Sequence, residues 1–192
     1  MSKKRQEVLN SYCLLDTLPE KTLDDIVSIA SQITECPISL ISLIDEDRQW
    51  FKAKVGLDAD ETPIDVSFCA HCVEKPDENM SVPDAREDER FKNNILVTGD
   101  LGIVFYFGVP LVSPEDVAIG TLCIIDFSPK ELSDEKIKAL EALSNMVMQY
   151  FEDRKKIICL NRMLKSFKDS LNPLLDKYNV SDDQDCGNSC EN

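Results

Sequence analysis

Residues 38–55 place the tightest constraint on the fold of this chain. Ile38 to Ile44 reads ISLISLI, apolar on both faces and rich in Ile, as expected of a strand covered on both sides. Asp45-Glu46-Asp47-Arg48 supplies a polar turn, and Trp50-Phe51-Lys52-Ala53-Lys54-Val55 then alternates until Gly56. That alternation puts Phe51, Ala53 and Val55 on one face and leaves Lys52 and Lys54 on the wet one. Strands joined by so short a turn return antiparallel, because a parallel pair needs a crossover of about a dozen residues or more. A second pair repeats the arrangement, Ile103 to Leu111 and Val117 to Ile125, joined through Ser113-Pro114-Glu115-Asp116. Gly108 and Gly120 interrupt these runs and mark bulges or a close approach by another group. Met80-Ser81-Val82 reads as a short edge or connecting strand, since Pro83 cannot donate to a ladder.

Helical periodicity surrounds the hairpins. Val8, Leu9, Tyr12 and Leu15 define a short leading helix. Thr17-Leu18-Pro19-Glu20 has the form of a capping box, with Thr17 as cap and Glu20 reaching back. Leu23, Ile26, Val27, Ala30 and Ile33 continue one apolar face until Cys36-Pro37 ends it. Ser67 is placed to cap a short segment carrying Phe68 and Cys72 on one side, with His71 a further candidate for that side. Residues 84–100 are irregular and charged. From Ser133 to about Leu171 the pattern is helical again, and at 1.5 Å per residue such a helix is roughly 58 Å long. The order is helix, hairpin, helix with loops, hairpin, long helix, which predicts an α+β domain with amphipathic helices packed on an antiparallel sheet. The expected organisation is an N-terminal helix over 1–18, one domain over 19–155, a helical extension over 156–171 and a disordered acidic tail over 172–192.

Charge narrows the partners. Thirty-six acidic against 21 basic residues give a formal net charge of −15, which repels phosphate backbones and acidic lipids and so argues against nucleic-acid and membrane binding. The basic start lacks the apolar run of a secretory signal, and no window approaches the length of a membrane span. A cytoplasmic location follows as the expectation, with the eight cysteines reduced. Cys13, Cys36 and Cys123 lie in apolar patterns and read as small buried hydrophobes.

The blocks LLDTLPEK, PISLISLIDEDRQWFKAKVGL, ETPIDVSFCAHCV, VPDAREDERFKNN, LVTG, FYFGVPL and AIGTLCIID, in this order over residues 12–155, resemble bacterial GAF domains. That resemblance implies a sheet of about six antiparallel strands with helices on both faces, a small-molecule pocket on one face and terminal, often dimerising, helices on the other. It also implies a sensory role beside histidine kinases or cyclic di-GMP enzymes. The position of Phe68, Cys69, His71, Tyr106 and Cys123 within the matching blocks makes these the expected pocket residues. Two positions depart from the subfamily: Val104 stands where Arg is usual, and Cys72 where Ala is usual. Only a helix end and a polar tail follow the matching region, so the expectation is signalling through a separate partner.

The segment Cys69-Ala70-His71-Cys72 holds the single His of the chain and invites other readings. Zinc sites draw ligands from two separated clusters, and the second is missing unless Cys186 and Cys190 fold back. Cys69 and Cys72 have the spacing of a redox pair but lack the thioredoxin-like context. Bilin attachment through Cys beside His has a different surrounding motif. Gly-rich phosphate loops and Ser/His/Asp sets are absent from the sequence, and a non-enzymatic role is expected. Against the sensory module stands a scaffold with a degenerate pocket, whose working part is the long helix, and, further off, a small thiol redox enzyme.

In the long helix, taking Leu140 as position a of a heptad puts Leu143, Tyr150, Ile157, Leu164 and Leu171 at d. The a row is Leu140, Val147, Arg154, Asn161 and Lys168, polar after Val147. An apolar d row that long predicts a parallel homodimer; the alternative is a break near Lys155-Lys156 and a return as a hairpin.

Overall fold

The computed structural model describes residues 3–177. Two short N-terminal helices, α1 (Lys3–Ser11) and α2 (Lys21–Thr34), lead into strands β1 (Ile38–Ile44), β2 (Arg48–Val55) and β3 (Glu61–Pro63). A single 3-10 turn at Ile64–Val66 precedes α3 (Phe68–Cys72); then come β4 (Met80–Val82), α4 (Ile95–Thr98), β5 (Phe105–Val112), β6 (Ala118–Asp126) and the 44-residue α5 (Asp134–Lys177). The six strands form one antiparallel sheet in the order β3-β2-β1-β6-β5-β4. Both expected hairpins are present, and β4 is the expected edge. β1 and β6 sit at the centre, which is why every residue of both is buried.

One face of the sheet is closed by helices. Leu9 and Tyr12 of the N-terminal region, Leu23, Val27 and Ala30 of α2, and Leu140, Val147 and Phe151 of α5 pack against Ile41, Leu43, Phe107, Leu122 and Ile124. The other face carries α3, α4 and their loops, with Phe68, Phe91, Val97 and Tyr106 packed on Leu40, Ile44, Phe51 and Ile125. Gly120 is needed at the centre: a Cβ there would run into the Ser42 carbonyl on the neighbouring strand.

Three local readings are corrected. β1 pairs Ile41 with Ala53 but Ser42 with Phe51, so Lys52 is an extra residue in β2, a bulge. The bulge breaks the alternation. Trp50 and Ala53 face the helices while Phe51 faces the other side. Lys52 is buried, not wet: its ammonium donates to Thr17 Oγ1 at 2.7 Å and the Leu18 carbonyl at 2.8 Å, and pairs with Glu20 at 2.6 Å. Lys54, by contrast, keeps to the exposed rim with Asp60.

The capping box is the second correction. The α2 N-cap is Glu20 without a side-chain cap, because its carboxylate is taken by Lys52 and by the Tyr150 hydroxyl at 2.6 Å. Thr17 donates to the Leu14 carbonyl instead. At the other end α2 stops one residue before Cys36-Pro37, with Glu35 left-handed at φ 56° and the Cys36 N–H on the Ser31 carbonyl. Third, Cys13 is exposed, whereas Cys36 and Cys123 are buried as read.

The chain divides into two compact units, 1–153 and 154–192. Helix α5 continues through Lys155-Lys156 and past Leu171 to Lys177, with Pro173 inside it, so neither the hairpin break nor a helix end at 171 is observed. The rest of the acidic tail, including Cys186 and Cys190, lies outside the described residues. In the second unit Ile157, Leu160, Leu164, Phe167 and Leu171 are exposed and recur at alternating intervals of three and four residues. The companion of the d row is therefore the row of Leu160 and Phe167, not the polar row of Arg154, Asn161 and Lys168. Among the described residues no helix is long and apolar enough to cross a membrane.

Candidate functional site

Between the sheet and the α3 side of the molecule lies a cavity of about 170 Å³. Leu40, Phe51 and Ile125 form its floor, Phe68 and Cys69 of α3 one wall, and Leu96, Leu101 and Ile103 another. Leu57, Ala59 and Thr62, from the loop between β2 and β3 and from β3 itself, stand at the mouth. The cavity exists because its wall is built of short pieces. α3 is five residues long and α4 four, and such elements cannot cover a six-stranded sheet without gaps.

α3 is held in place by Ser67, whose hydroxyl caps it by accepting the Ala70 N–H at 3.0 Å and donates to the Gln49 side-chain oxygen. Asn94 plays the same part for α4, accepting from the Leu96 N–H at 2.8 Å, and its amide also donates to the Val66 carbonyl. Phe68 is fixed between rings, stacked on Phe91 at 4.0 Å and tilted against Tyr106 at 5.2 Å. The Tyr106 ring lies along its own strand over Gly108, where a Cβ would collide with the phenol. That placement lets the Tyr106 hydroxyl donate to the Cys69 sulfur at 3.3 Å.

Behind Cys69, the Cys123 sulfur is 3.6 Å away, and the Ser42 and Thr121 hydroxyls pair at 3.2 Å on the neighbouring strands. Cys72 turns towards the Gly108 carbonyl, 3.5 Å from its sulfur. Burial works to raise the pKa of Cys69, but hydrogen bonds from Cys123, Ser42, Thr121 and Tyr106 outweigh it and bring the thiol below its ordinary value. Cys123, bonded to Cys69 and buried, is pushed well up, and burial together with the charge of Cys69 raises Cys72 to about 12. Burial and the neighbouring thiols push Tyr106 up as well, so its hydroxyl keeps its proton.

Of the expected pocket residues, Phe68, Cys69 and Tyr106 line the cavity. Cys123 lies behind Cys69, one layer out. His71 points elsewhere: it is exposed, sets its edge against Phe91 at 5.0 Å, and lines a surface pocket of about 350 Å³ with Lys75, Glu78 and Arg90. The reason is the helix itself. On α3, residues 68, 69 and 72 turn inward and 71 must turn out. Val104 is buried just before β5 and does not line the cavity; its backbone bonds to Asp126 and Ala85.

The sequence reading missed Phe51, because the bulge reversed its face, and Leu57, Thr62, Leu96 and Leu101, which sit in loops or short elements with no periodic signal. Thr62 is notable. Its hydroxyl is buried and has no hydrogen-bond partner among the described residues. No group of three His, Cys, Asp or Glu side chains among those residues is arranged to hold a metal.

Comparison with known proteins bears on this geometry. A protein-family model described as GAF domain matches residues 18–151. A cyclic di-GMP phosphodiesterase of Pseudomonas aeruginosa is 37% identical over 145 residues, which is 75% of this chain but 24% of that protein, so the chain spans about a quarter of its relative. The GAF domain of an Acinetobacter phosphoenolpyruvate-protein phosphotransferase superposes with a TM-score of 0.57 at 18% identity, over 82% of this chain and 98% of that one. The free methionine-R-sulfoxide reductase of Neisseria meningitidis, solved with its substrate, gives a TM-score of 0.58 at 16% identity, over 82% and 95%. At such identities the two structures speak to fold alone.

Proposed function

The chain belongs to the GAF domain family, and from that premise we propose that it is a regulatory module that binds a small molecule and passes its occupancy to a separate signalling enzyme. The observation that carries this is the cavity: apolar and without a charged residue in its lining. An uncharged lining disfavours phosphate-bearing ligands, whose charge would be desolvated without compensation. Its volume is below the several hundred Å³ typical of drug-sized ligands and near that of engineered cavities of about 150 Å³ that take up benzene. The ligand class is therefore a small, apolar and ring-sized molecule.

What favours binding over catalysis is the content of the site. The single His faces away, and the cavity lining holds no carboxylate to serve as acid or base. Signal output rests on the second unit. The exposed row of Ile157, Leu160, Leu164, Phe167 and Leu171 has the spacing of a coiled-coil seam, and a parallel homodimer covers it. Ligand would bias the register or splay of the paired helices, and a histidine kinase or a cyclic di-GMP enzyme in the same cytoplasm would read that state.

Two measurements on the full chain test this. Thermal shift with indole or benzene should raise the melting temperature of the natural protein and leave Leu101→Trp, whose ring fills the cavity, unmoved. Light scattering should give a dimer for the natural chain and a monomer for the double variant Leu164→Asp, Phe167→Asp. A dimer that ignores every aromatic probe would favour the scaffold reading, with the helix as the working part.

A further inference from the structure

We propose that Cys69 and Cys123 form a redox modification site: a hydroperoxide entering the cavity oxidises the Cys69 sulfur, and Cys123 closes a disulfide onto it. The proposal uses the cavity only as a route and does not depend on which ligand the domain binds.

Three observations converge on this pair. The sulfurs are 3.6 Å apart although the residues are 54 positions apart in sequence and sit on different elements, α3 and β6. A disulfide bond is about 2.05 Å long, so closure needs roughly 1.5 Å of approach, within reach of side-chain rotation and a small shift of one short helix. Second, of the three buried thiols in this core only Cys69 lines the cavity, which gives a small oxidant a route to its sulfur, while Cys72 borders the separate surface pocket beside His71. Third, the surroundings of Cys69 suit a nucleophilic sulfur: the Tyr106 hydroxyl donates to it at 3.3 Å and Cys123 is bonded to it from behind. Those bonds hold its pKa below the ordinary thiol value, which increases the reactive thiolate. Cys72 shares the Tyr106 contact but lies outside the cavity lining. Its sulfur is engaged with the Gly108 carbonyl and its pKa is raised to about 12, so the C-x-x-C spacing suggested by the sequence is not the reactive pair.

The chemistry balances. The Cys69 thiolate attacks one peroxide oxygen, the O–O bond breaks, and the departing alkoxide or hydroxide takes a proton to leave as alcohol or water. Cys69 is then a sulfenic acid. Cys123 loses its proton and attacks the Cys69 sulfur; the S–O bond breaks and the hydroxyl leaves as water. Two thiols give up two electrons, and one hydroperoxide is reduced to an alcohol and a water. The new bond ties α3 to the central strand β6 beneath Tyr106 and so alters the cavity wall that carries Phe68 and Cys69.

The test is peptide mapping of the full chain after hydrogen peroxide, with free thiols alkylated under denaturing conditions before digestion. A Cys69–Cys123 peptide and equal loss of both alkylated thiols, at least tenfold faster than loss of the exposed Cys13 and Cys159, are expected. This readout needs no variant. In Cys123→Ser, Cys69 should accumulate as a sulfenic acid trapped by dimedone; in Cys72→Ser the natural cross-link should persist. A Cys69–Cys72 linkage, or oxidation confined to Cys13 and Cys159 while Cys69 and Cys123 stay reduced, would overturn the proposal.

Discussion

The two faces of the sheet are built to opposite rules. On the helix-covered face, Leu9, Tyr12, Leu23, Val27, Val147 and Phe151 interlock, and the charged and phenolic groups that enter are paired, Lys52 with Glu20, Tyr150 with Glu20 and Tyr12 with Glu152, leaving the small Ser39 hydroxyl without a partner among the described residues. On the other face, short helices leave about 170 Å³ unfilled, a hydroxyl without a partner, and three thiols within the same core. The same strands serve both. The filled face holds the sheet rigid so that the open face can keep a space that packing forces alone would close.

The largest expected effect breaks that comparison if it fails. Phe151→Ala, in the filled face, should cost about 3–5 kcal/mol in urea unfolding, whereas Phe51→Ala, which only enlarges an existing space, should cost clearly less. Equal losses would mean that the two faces are packed alike. Next is the buried pair on the filled face. Lys52→Ala leaves the Glu20 carboxylate without its cation and should cost about 3 kcal/mol, the low end for a broken buried pair because Glu20 keeps some contact with water. Lys54→Ala, two residues along, should stay within about 0.5 kcal/mol. Smaller still, Leu101→Trp should change stability by no more than about 1 kcal/mol, since the new ring enters space already present, and a greater loss would show that the open face is closed to such volume.

The smallest effect concerns the rim, not either core. Burial of Asp126 works against its charge, but Lys130 at 2.6 Å and the Ser128 N–H and hydroxyl hold its carboxyl below the usual range. A depressed folded pKa contributes stability that is present above the unfolded value of about 3.9 and is lost as pH falls through the folded value. Asp126→Asn should therefore shrink the difference in urea midpoint between neutral and acid pH. An unchanged difference would place the acid sensitivity elsewhere, with Asp45, held low by Glu46 N–H, Arg48 and Gln6 against its burial, as the next candidate.

Legibility from sequence followed the range of the interaction. Ser67 capping α3 involves residues three apart and was readable; so were the turns at 45–48 and 113–116. Phe51 was assigned to the wrong face because a bulge is set by how two strands close over distance, not by the residues in it. Glu20 looked like a capping partner, but Lys52, 32 positions on, claimed it. A minor part of the candidate site was visible, as Phe68, Cys69 and Tyr106. Thr62, Leu96 and Leu101 were not, since loop residues carry no period.

By itself, then, the sequence determined the strand runs and turn lengths that force antiparallel hairpins, the amphipathic helices that need a sheet to cover, and the apolar row of the second unit. Those are properties of neighbours along the chain, within about a turn of helix or a pair of strands. Only the tertiary structure decided the strand order, the side to which His71 turns, the burial of Lys52 and the meeting of Cys69 with Cys123. Each depends on which distant surfaces come together. The cavity belongs wholly to that second group, because an unfilled volume is what remains between side chains once every element has packed, and no residue encodes it alone.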